Sequence, residues 1–416
     1  MTCFVWPFVL PIFITRARSV LHDLLARALL HLPRPMRSLC RAAPLRLAQR
    51  AQLSCRRRTA HSRAAPLRAV ADGDGISFSS PLTSSTKLLF ASAPALGHAW
   101  PGHPESAERV PAILEALAAG GLTPEALGSE LVELRGAPAA TSEQLTRVHS
   151  APFLKQLSLL AQLRAPCTYD SAPTYVTKSS VADAAAGVGA ALALVDAVVS
   201  ESRRREAAGG GPAPAAFALC RPPGHHALPT SAMGFCLYST AALAARHAQA
   251  VHGLKRVLIY DYDVHHGNGT DESFAADPDV LYVSTHQANL YPGTGTLLEV
   301  GTGAGEGATI NLPLPGGSGD AAARAALEQV VGPAAERFKP DIILVSAGYD
   351  AHWRDPLAGL QFSDSTYHAL SAGLRSLAER LCGGRIVFLL EGGACSSHHN
   401  APRVGADAAH AQAMIW

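Results

Sequence analysis

After residue 85, short apolar runs alternate with longer, alanine-rich stretches of helical character. This alternation is typical of a mostly parallel sheet with helices packed on both faces. The predicted strands are 88–91, 216–220, 257–260, 280–284, 342–346 and 386–390. The predicted helices are 107–119, 181–205, 241–252, 321–337 and 363–381. The sequence contains neither an internal repeat nor a linker to a second domain, so we expect a single α/β domain.

Four clusters of polar and glycine residues follow directly after predicted strands. They are Arg-Pro-Pro-Gly-His-His at 221–226, Asp-Tyr-Asp-Val-His-His at 261–266, Ala-Gly-Tyr-Asp at 347–350 and Glu-Gly-Gly at 391–393. Open parallel sheets bind their ligands at the carboxyl ends of the strands, so the four clusters predict one site. A (β/α)₈ barrel follows the same rule, and the pattern therefore locates the active face better than it fixes the sheet topology.

Asp263 and His265 are separated by one residue, so an extended backbone projects both side chains to the same side. Asp350, after another strand, can complete the set. Two carboxylates and a neutral imidazole suit Zn²⁺ and leave positions open for a water molecule and a substrate carbonyl. Spacing alone slightly favours solvated loop residues, but the other clusters at strand ends favour a metal site.

The tandem histidines His225 and His226 are candidates for acid–base chemistry, because amide hydrolysis needs a group that removes a proton from water and returns one to the leaving amine. Imidazole titrates in the range that this task requires. His266, beside the candidate ligand His265, fits a structural role better, and for His286 a structural and a functional role are equally open.

Composition limits the function classes. Hydrophobic residues make up 48% of the 416 residues and charged residues 16%, which is enough to bury a large core. The net charge of +2 hides an asymmetry: residues 1–70 carry thirteen arginines and one acid, which leaves 22 basic and 32 acidic residues in 71–416. An acidic body argues against general nucleic-acid binding and is compatible with a cationic substrate. The eight scattered cysteines suit free thiols.

Residues 1–71 have the arginine-rich, acid-poor composition of an organellar transit peptide, with chloroplast slightly favoured over mitochondrion. Two alternatives remain: Met36 is the true start, or the arginines form a basic arm that binds nucleic acid. The apolar run at 3–14 is too short to span a bilayer, and no membrane association is expected.

Eight motifs together resemble the ordered motifs of histone deacetylases over about residues 87–393. In order they are GHPESAER at 102–109, RPPGHHA at 221–227, MGFC at 233–236, DYDVHHGNGT at 261–270, STHQ at 284–287, YPGTG at 291–295, SAGYDAH at 346–352 and DPLAG at 355–359. The resemblance is to the class II branch and its bacterial and organellar relatives, which include acetylpolyamine amidohydrolases.

The resemblance implies the doubly wound arginase/deacetylase fold, a catalytic domain at 85–393, one zinc ion and the deacetylation of lysine-type amides. By position, Asp263, His265 and Asp350 would ligate zinc. His226 would be the principal general base and acid, with His225 as its electrostatic partner. Asp261 would hold His225, and Asn268 would hold His226. The resemblance also implies further residues at the site.

Phe235 and Tyr291 would form the walls of a narrow substrate tunnel, with Leu357 nearby and Gly234 contacting the substrate amide through its backbone. Plain core packing is the alternative role for the two aromatic residues. A structural K⁺ is also implied. Its ligands would be the Ser284 side chain and the backbone carbonyls of Thr285, Asp261, Asp263 and His265.

The resemblance ends after Gly393. The family pattern expects a tyrosine, or in one subgroup a histidine, that hydrogen-bonds the acetyl oxygen, and this chain has Ala394. We interpret 394–416 as a divergent tail and the domain as truncated by a mis-spliced or incomplete gene model. A paralogue with reduced catalysis and a substitute donor at His398 or His399 are the alternatives.

These observations together predict a zinc-dependent deacetylase of acetylated lysine side chains. The first alternative is a deacetylase of small acetylated amines or polyamines. The second is a catalytically silent zinc-binding protein, which Ala394 favours. The sequence leaves the physiological substrate and the oligomeric state open.

Overall fold

The structure is a computed structural model and describes residues 75–171 and 173–393. The predicted transit peptide at 1–71 and the tail at 394–416, which includes Ala394, His398 and His399, lie outside the described residues. The described residues belong to one compact unit, Ala69–Trp416.

A nine-stranded sheet forms the centre of the described domain. Its strands are β1 (Ser77–Phe78), β2 (Leu88–Ala93), β3 (Leu131–Arg135), β6 (Ala215–Cys220), β7 (Val257–Asp261), β8 (Val280–Gln287), β9 (Thr309–Leu314), β10 (Ile342–Ala347) and β11 (Ile386–Leu390). The order across the sheet is β1-β3-β2-β6-β11-β10-β7-β8-β9. All neighbours are parallel except β1, which pairs antiparallel with β3. β4 (Cys167–Thr168) and β5 (Tyr175–Val176) form a separate antiparallel pair.

Helices connect the parallel strands. They are α1 (Arg109–Ala119), α2 (Pro124–Leu127), α3 (Ser142–Leu145), α4 (Ala151–Leu163), α5 (Ser180–Ala207), α6 (Thr240–His252), α7 (Asn268–Phe274), α8 (Asp320–Ala326), α9 (Gly332–Phe338) and α10 (Asp364–Cys382). A π-helical turn, Leu327–Val331, joins α8 to α9.

Alternate side chains of each central strand enter two separate hydrophobic cores. On β10, Ile342 and Leu344 pack in the core that contains α5 and α6, whereas Ile343 and Val345 pack in the core that contains α1 and α10. Because both faces are buried, these strands are continuous apolar runs without polar alternation. The described sheet is open, with β1 and β9 at its edges, so the expected doubly wound fold is confirmed and the barrel is excluded.

Helix α5 is the longest described helix. It packs in the core that also contains α6. It is long and apolar enough to span a membrane, but 67% of its most apolar 18-residue window is buried inside the domain, as in a core helix. At Gly189 the helix comes very close to the backbone of Pro138, because a Cβ there would lie 1.9 Å from the Pro138 carbonyl oxygen. Gly189 therefore lets α5 pack closely against the loop that follows β3.

Candidate active site

The four polar clusters follow four strands that are adjacent in the sheet, in the order β6-β11-β10-β7. The strands run parallel, so their carboxyl ends lie at one edge. The sheet thus brings together residues that are up to about 170 positions apart in the sequence. They line one cavity of about 270 Å³.

Asp263, His265 and Asp350 converge on the floor of this cavity. Nδ1 of His265 lies 3.1 Å from Oδ1 of Asp263 and 3.2 Å from Oδ2 of Asp350. One donor atom from each residue lies within 4.8 Å of the others, as ligands of a single ion require. Burial alone would lower the pKa of His265, but its hydrogen bonds to the two carboxylates raise it to about 10. The site therefore stabilises positive charge strongly.

Backbone amides and glycines hold the two carboxylates in place. Oδ2 of Asp263 accepts a hydrogen bond from the N–H of Gly392 at 2.8 Å, and Oδ1 of Asp350 accepts one from the N–H of Val264 at 2.9 Å. A Cβ at Gly348 would lie 2.1 Å from Oδ2 of Asp263, and a Cβ at Gly392 would lie 2.1 Å from Oδ2 of Asp350. Glycine is therefore required at both positions, so that backbone can approach the carboxylates closely.

The tandem histidines stand beside this group with their ring centroids 4.0 Å apart. Nδ1 of His225 lies 3.1 Å from Oδ2 of Asp261, and Nδ1 of His226 lies 2.8 Å from Oδ1 of Asn268. The Asn268 amide nitrogen donates to Sδ of Met233 at 3.2 Å, an arrangement that directs the amide oxygen at His226. His226 then carries its proton on Nδ1 and has a lone pair on Nε2.

The two imidazoles have opposite electrostatic environments. Burial disfavours the charged form of His225, but Asp263 and Asp261 overcome this effect and hold its pKa well above the usual value. Burial lowers the pKa of His226, and the positive charges of His225 and His265 lower it further. The surroundings therefore favour the charged form of His225 and the neutral form of His226.

All four residues expected in the tunnel line the same cavity: Gly234, Phe235, Tyr291 and Leu357. The Tyr291 ring stands edge-on to His226 with a centroid distance of 5.1 Å. Phe235 has a φ of 69°, and its N–H donates to Oγ1 of Thr174 at 2.9 Å. Leu357 is 43% exposed. The cavity therefore has aromatic walls, and its aliphatic lining includes the exposed side chain of Leu357.

Ser284 and Thr285 are buried on β8, next to β7. Ser284 Oγ lies 2.9 Å from Nδ1 of His286, and Thr285 Oγ1 lies 3.2 Å from the Tyr260 hydroxyl. Nε2 of His286 contacts the carbonyl oxygen of Gly295 at 2.9 Å. These contacts explain His286 as part of the packing around β8.

A second group of potential ligands lies on α5 and α6. Nε2 of His247 and Nε2 of His252 lie 2.7 and 2.5 Å from Oδ1 of Asp196. Arg147 donates to Nδ1 of His247 at 3.2 Å, so Nε2 of that ring carries its proton and donates it to Asp196. This group is therefore a hydrogen-bonded link between two helices, with no lone pair on His247 Nε2 for a metal.

The sequence matches the histone deacetylase domain family over residues 103–401. The chain belongs to this family. The matched deacetylase domain begins within the predicted catalytic region and extends past Gly393. Its relatives include histone deacetylase 14, chloroplastic, of Arabidopsis thaliana, which is 49% identical over 314 residues, or 74% of this chain and 73% of the relative.

Other histone deacetylase relatives come from rice and from bacteria. Histone deacetylase 10, chloroplastic, of Oryza sativa subsp. japonica is 49% identical over 75% of this chain and 70% of the relative. A histone deacetylase-like amidohydrolase of Pseudomonas aeruginosa is 39% identical over 70% of this chain and 72% of the relative. The crystal structure of the HDA15 HD domain superposes with a TM-score of 0.68 at 34% identity, covering 79% of this chain and 88% of that chain. These comparisons support hydrolase activity of the deacetylase type.

Sequence reasoning assigned no role to two buried residues of the deacetylase domain, Arg221 and Glu391. Arg221 is fully buried, and its Nη2 donates to Glu105 Oε2 at 2.8 Å and to the carbonyl oxygen of His98 at 3.0 Å. It anchors the start of the loop that carries the tandem histidines. Glu391 is also fully buried beside that loop. A charged residue next to an apolar run was the available signal, but such residues are more often solvated.

Proposed function

We propose that this protein is a zinc-dependent deacetylase that hydrolyses acetyl-lysine-type amides. One observation carries the proposal: the donor atoms of Asp263, His265 and Asp350 converge within 4.8 Å in the cavity that also contains the His225–His226 pair. Membership of the deacetylase family supports the same reaction class.

Zinc fits the donor set. Carboxylate oxygen and imidazole nitrogen are both established zinc ligands, and the raised pKa of His265 reflects a site that favours a cation. Asp263, His265 and Asp350 would hold the ion. When bound, zinc supplies Lewis-acid polarisation of the acetyl carbonyl and lowers the pKa of its water.

His226 is the proposed general base and acid. Its neutral ring has a lone pair on Nε2, so it can take a proton from the attacking water and later give one to the leaving amine. Asn268 fixes the tautomer through Nδ1. Protonated His225, held by Asp261, supplies positive charge beside the reacting groups. A K⁺ bound by Ser284 and by the backbone of Thr285 would support this strand end structurally.

The shape of the cavity supports an acetylated aliphatic arm as substrate. Phe235 and Tyr291 offer aromatic walls for methylene groups, and Gly234 brings backbone close to His226 without a side chain. An aliphatic arm between such walls is stabilised by burial of its apolar surface. The partly exposed Leu357 would contact whatever carries the arm.

Chloroplast localisation is proposed from two observations. The relatives from Arabidopsis thaliana and rice are named chloroplastic, and residues 1–71 have the composition of a transit peptide. Residues 1–71 fused to a fluorescent protein are expected to direct it to chloroplasts in plant cells. Fluorescence in mitochondria, or diffuse fluorescence, would contradict this proposal.

The deciding experiment measures metal content and deacetylation together. Purified full-length protein, reconstituted with zinc, is expected to bind about one zinc and to release acetate from an acetyl-lysine peptide. An acetylated polyamine is compared under the same conditions, and faster turnover of the polyamine would make small amines the substrate class. Stoichiometric zinc with no turnover of either substrate would favour a silent zinc-binding protein.

A further inference from the structure

Glu391 is the residue that immediately follows β11, and its side chain is fully buried. Its Oε2 accepts two backbone hydrogen bonds, from the N–H of Gly224 at 2.6 Å and from the N–H of His225 at 3.0 Å. Its own carbonyl oxygen accepts from Nη2 of Arg109 at 2.7 Å. Hydrogen bonds therefore hold both Oε2 and the backbone carbonyl of Glu391.

The N–H groups of Gly224 and His225, which donate to Glu391, lie in a tightly packed turn. A Cβ at Gly224 would lie 2.6 Å from the nitrogen of Thr240 and 2.8 Å from the carbonyl oxygen of Tyr238, so the turn is packed against the start of α6. Gly224 and His225 are both buried. Without Glu391, two buried N–H groups would lose their acceptor, which is costly in a folded protein.

The His225 backbone is fixed from the opposite side as well. Its carbonyl oxygen accepts from the N–H groups of Gly269 and Thr270 at 3.0 and 3.2 Å, at the start of α7. Asn268, the partner of His226, lies in the same turn of chain. Glu391 on one side and α7 on the other therefore set where the tandem histidines stand relative to Asp261 and Asn268.

We propose that Glu391 is a positioning residue for the tandem histidines, acting through the two hydrogen bonds to the Gly224–His225 backbone. The inference rests on the proposed deacetylation, in which His226 handles the protons. Glu391 has no step of its own in the reaction. A small displacement of a proton-transfer group is sufficient to slow turnover strongly.

A matched pair of variants separates positioning from bulk. Glu391→Gln retains an oxygen that can accept both N–H groups, whereas Glu391→Met has the same length and no such acceptor. Both proteins are prepared full-length and zinc-loaded. Glu391→Met is expected to lower kcat on an acetyl-lysine peptide about tenfold or more, with KM nearly unchanged, and Glu391→Gln to restore most of the loss.

Glu201→Met is the control for a buried carboxylate lost elsewhere. Glu201 pairs with Arg204 and Arg205 on α5 and is 3% exposed. This variant is expected to lower the thermal midpoint without changing kcat. If Glu391→Met does not fold, Glu391→Asp takes its place. It withdraws the carboxylate by one methylene, and a fall in kcat at constant KM is again expected.

A second readout is independent of turnover. In protein labelled at histidine, the imidazole NMR signals of His225 and His226 are expected to shift in Glu391→Met and to return in Glu391→Gln. Unchanged signals and unchanged kcat in a folded, zinc-loaded Glu391→Met would overturn the inference, as would equal losses in both variants. If the unaltered protein has no deacetylase activity, the proposed function fails, while the NMR comparison still tests Glu391.

Discussion

Asn268 presents its side-chain oxygen to Nδ1 of His226 at 2.8 Å, where a carboxylate would place a negative charge. The neutral amide fixes the tautomer, and although its hydrogen bond raises the pKa of the ring, burial and the neighbouring His225 outweigh this effect. The surroundings of His226 therefore favour its neutral form, as the proposed role of general base requires.

Asn268→Asp is expected to raise the pKa of His226, because a nearby negative charge favours the imidazolium form. A base must be unprotonated to work, so the acidic limb of the kcat/KM profile should move to higher pH. The profile on an acetyl-lysine peptide measures the shift. Gln249→Glu, which adds a carboxylate on α6, should leave the limb in place, and an unmoved limb in Asn268→Asp would refute the role of Asn268.

Asp350→Asn is expected to lower zinc content well below that of the unaltered protein and to abolish turnover, because an amide oxygen is a weaker ligand than a carboxylate. Metal analysis after dialysis measures the first effect. Asp196→Asn is the matched control, since Asp196 belongs to the hydrogen-bonded group on α5 and α6. If zinc were lost from Asp196→Asn instead, the metal would bind at the group on α5 and α6, and our proposed site would be wrong.

Gly234→Ala is expected to reduce turnover about 100-fold. A Cβ there would lie 2.4 Å from Cδ2 of His226, so the ring must move. Gly102→Ala is the control: its φ of 77° is similarly unfavourable, but a Cβ meets nothing within 4 Å. Gly102→Ala should therefore cost only the backbone strain of about 1–2 kcal/mol, measured by chemical unfolding. Equal activity of the two variants would contradict the packing argument.

Ala394→Tyr tests the position at which the sequence departs from the family pattern. If a tyrosine hydroxyl supplies a missing donor to the acetyl oxygen, turnover should rise by about 10²–10³. The comparison uses zinc-loaded proteins of equal metal content, with Ala394→Phe as the control without a hydroxyl. If Ala394→Tyr turns over no faster than Ala394→Phe, the absence of a tyrosine hydroxyl at position 394 does not limit turnover.

Glu391 makes stability depend on pH. Burial raises the pKa of its carboxyl group from 4.5 to about 7. The stability from this group is fully present below pH 4.5 and is lost as pH rises through 7, because the unfolded chain releases the proton first. Relative to Glu391→Gln, the unaltered protein should lose up to about 3 kcal/mol of unfolding free energy across this window. Urea unfolding at several pH values measures the difference, which should be flat if the carboxyl group titrates normally.

The sequence predicted the central strands well and the edge strands poorly. All six predicted strands are present, because strands buried on both faces, such as β10, leave an unbroken apolar run. β3 contains Glu133 and Arg135, and β9 contains Asn311 and Pro313. Polar residues, whether exposed like Arg135 or buried like Asn311, interrupt the apolar run in both strands, and Pro313 also interrupts β9, so the apolar signal was lost. The π-helical turn within the predicted helix 321–337 also left no signal.

At the site, residue types and strand ends were sufficient to predict which side chains meet. Asp350 follows β10, and β10 pairs with β7, which precedes Asp263. The sequence could not predict which groups Glu391 binds, because its side chain accepts from backbone N–H groups 166 and 167 positions away. Backbone donors look the same at every residue, so only the folded structure identifies them.

Among the strands of the described sheet β11 comes last in sequence, yet it lies between β6 and β10. A chain emerging from the ribosome or crossing a membrane amino end first would therefore have to keep two halves of its sheet apart until the last strand arrived. Pairing across such long sequence separations is slow, and the open gap exposes strand edges meanwhile. Late insertion of β11 would make folding depend on chaperones and would delay the appearance of activity in the cell.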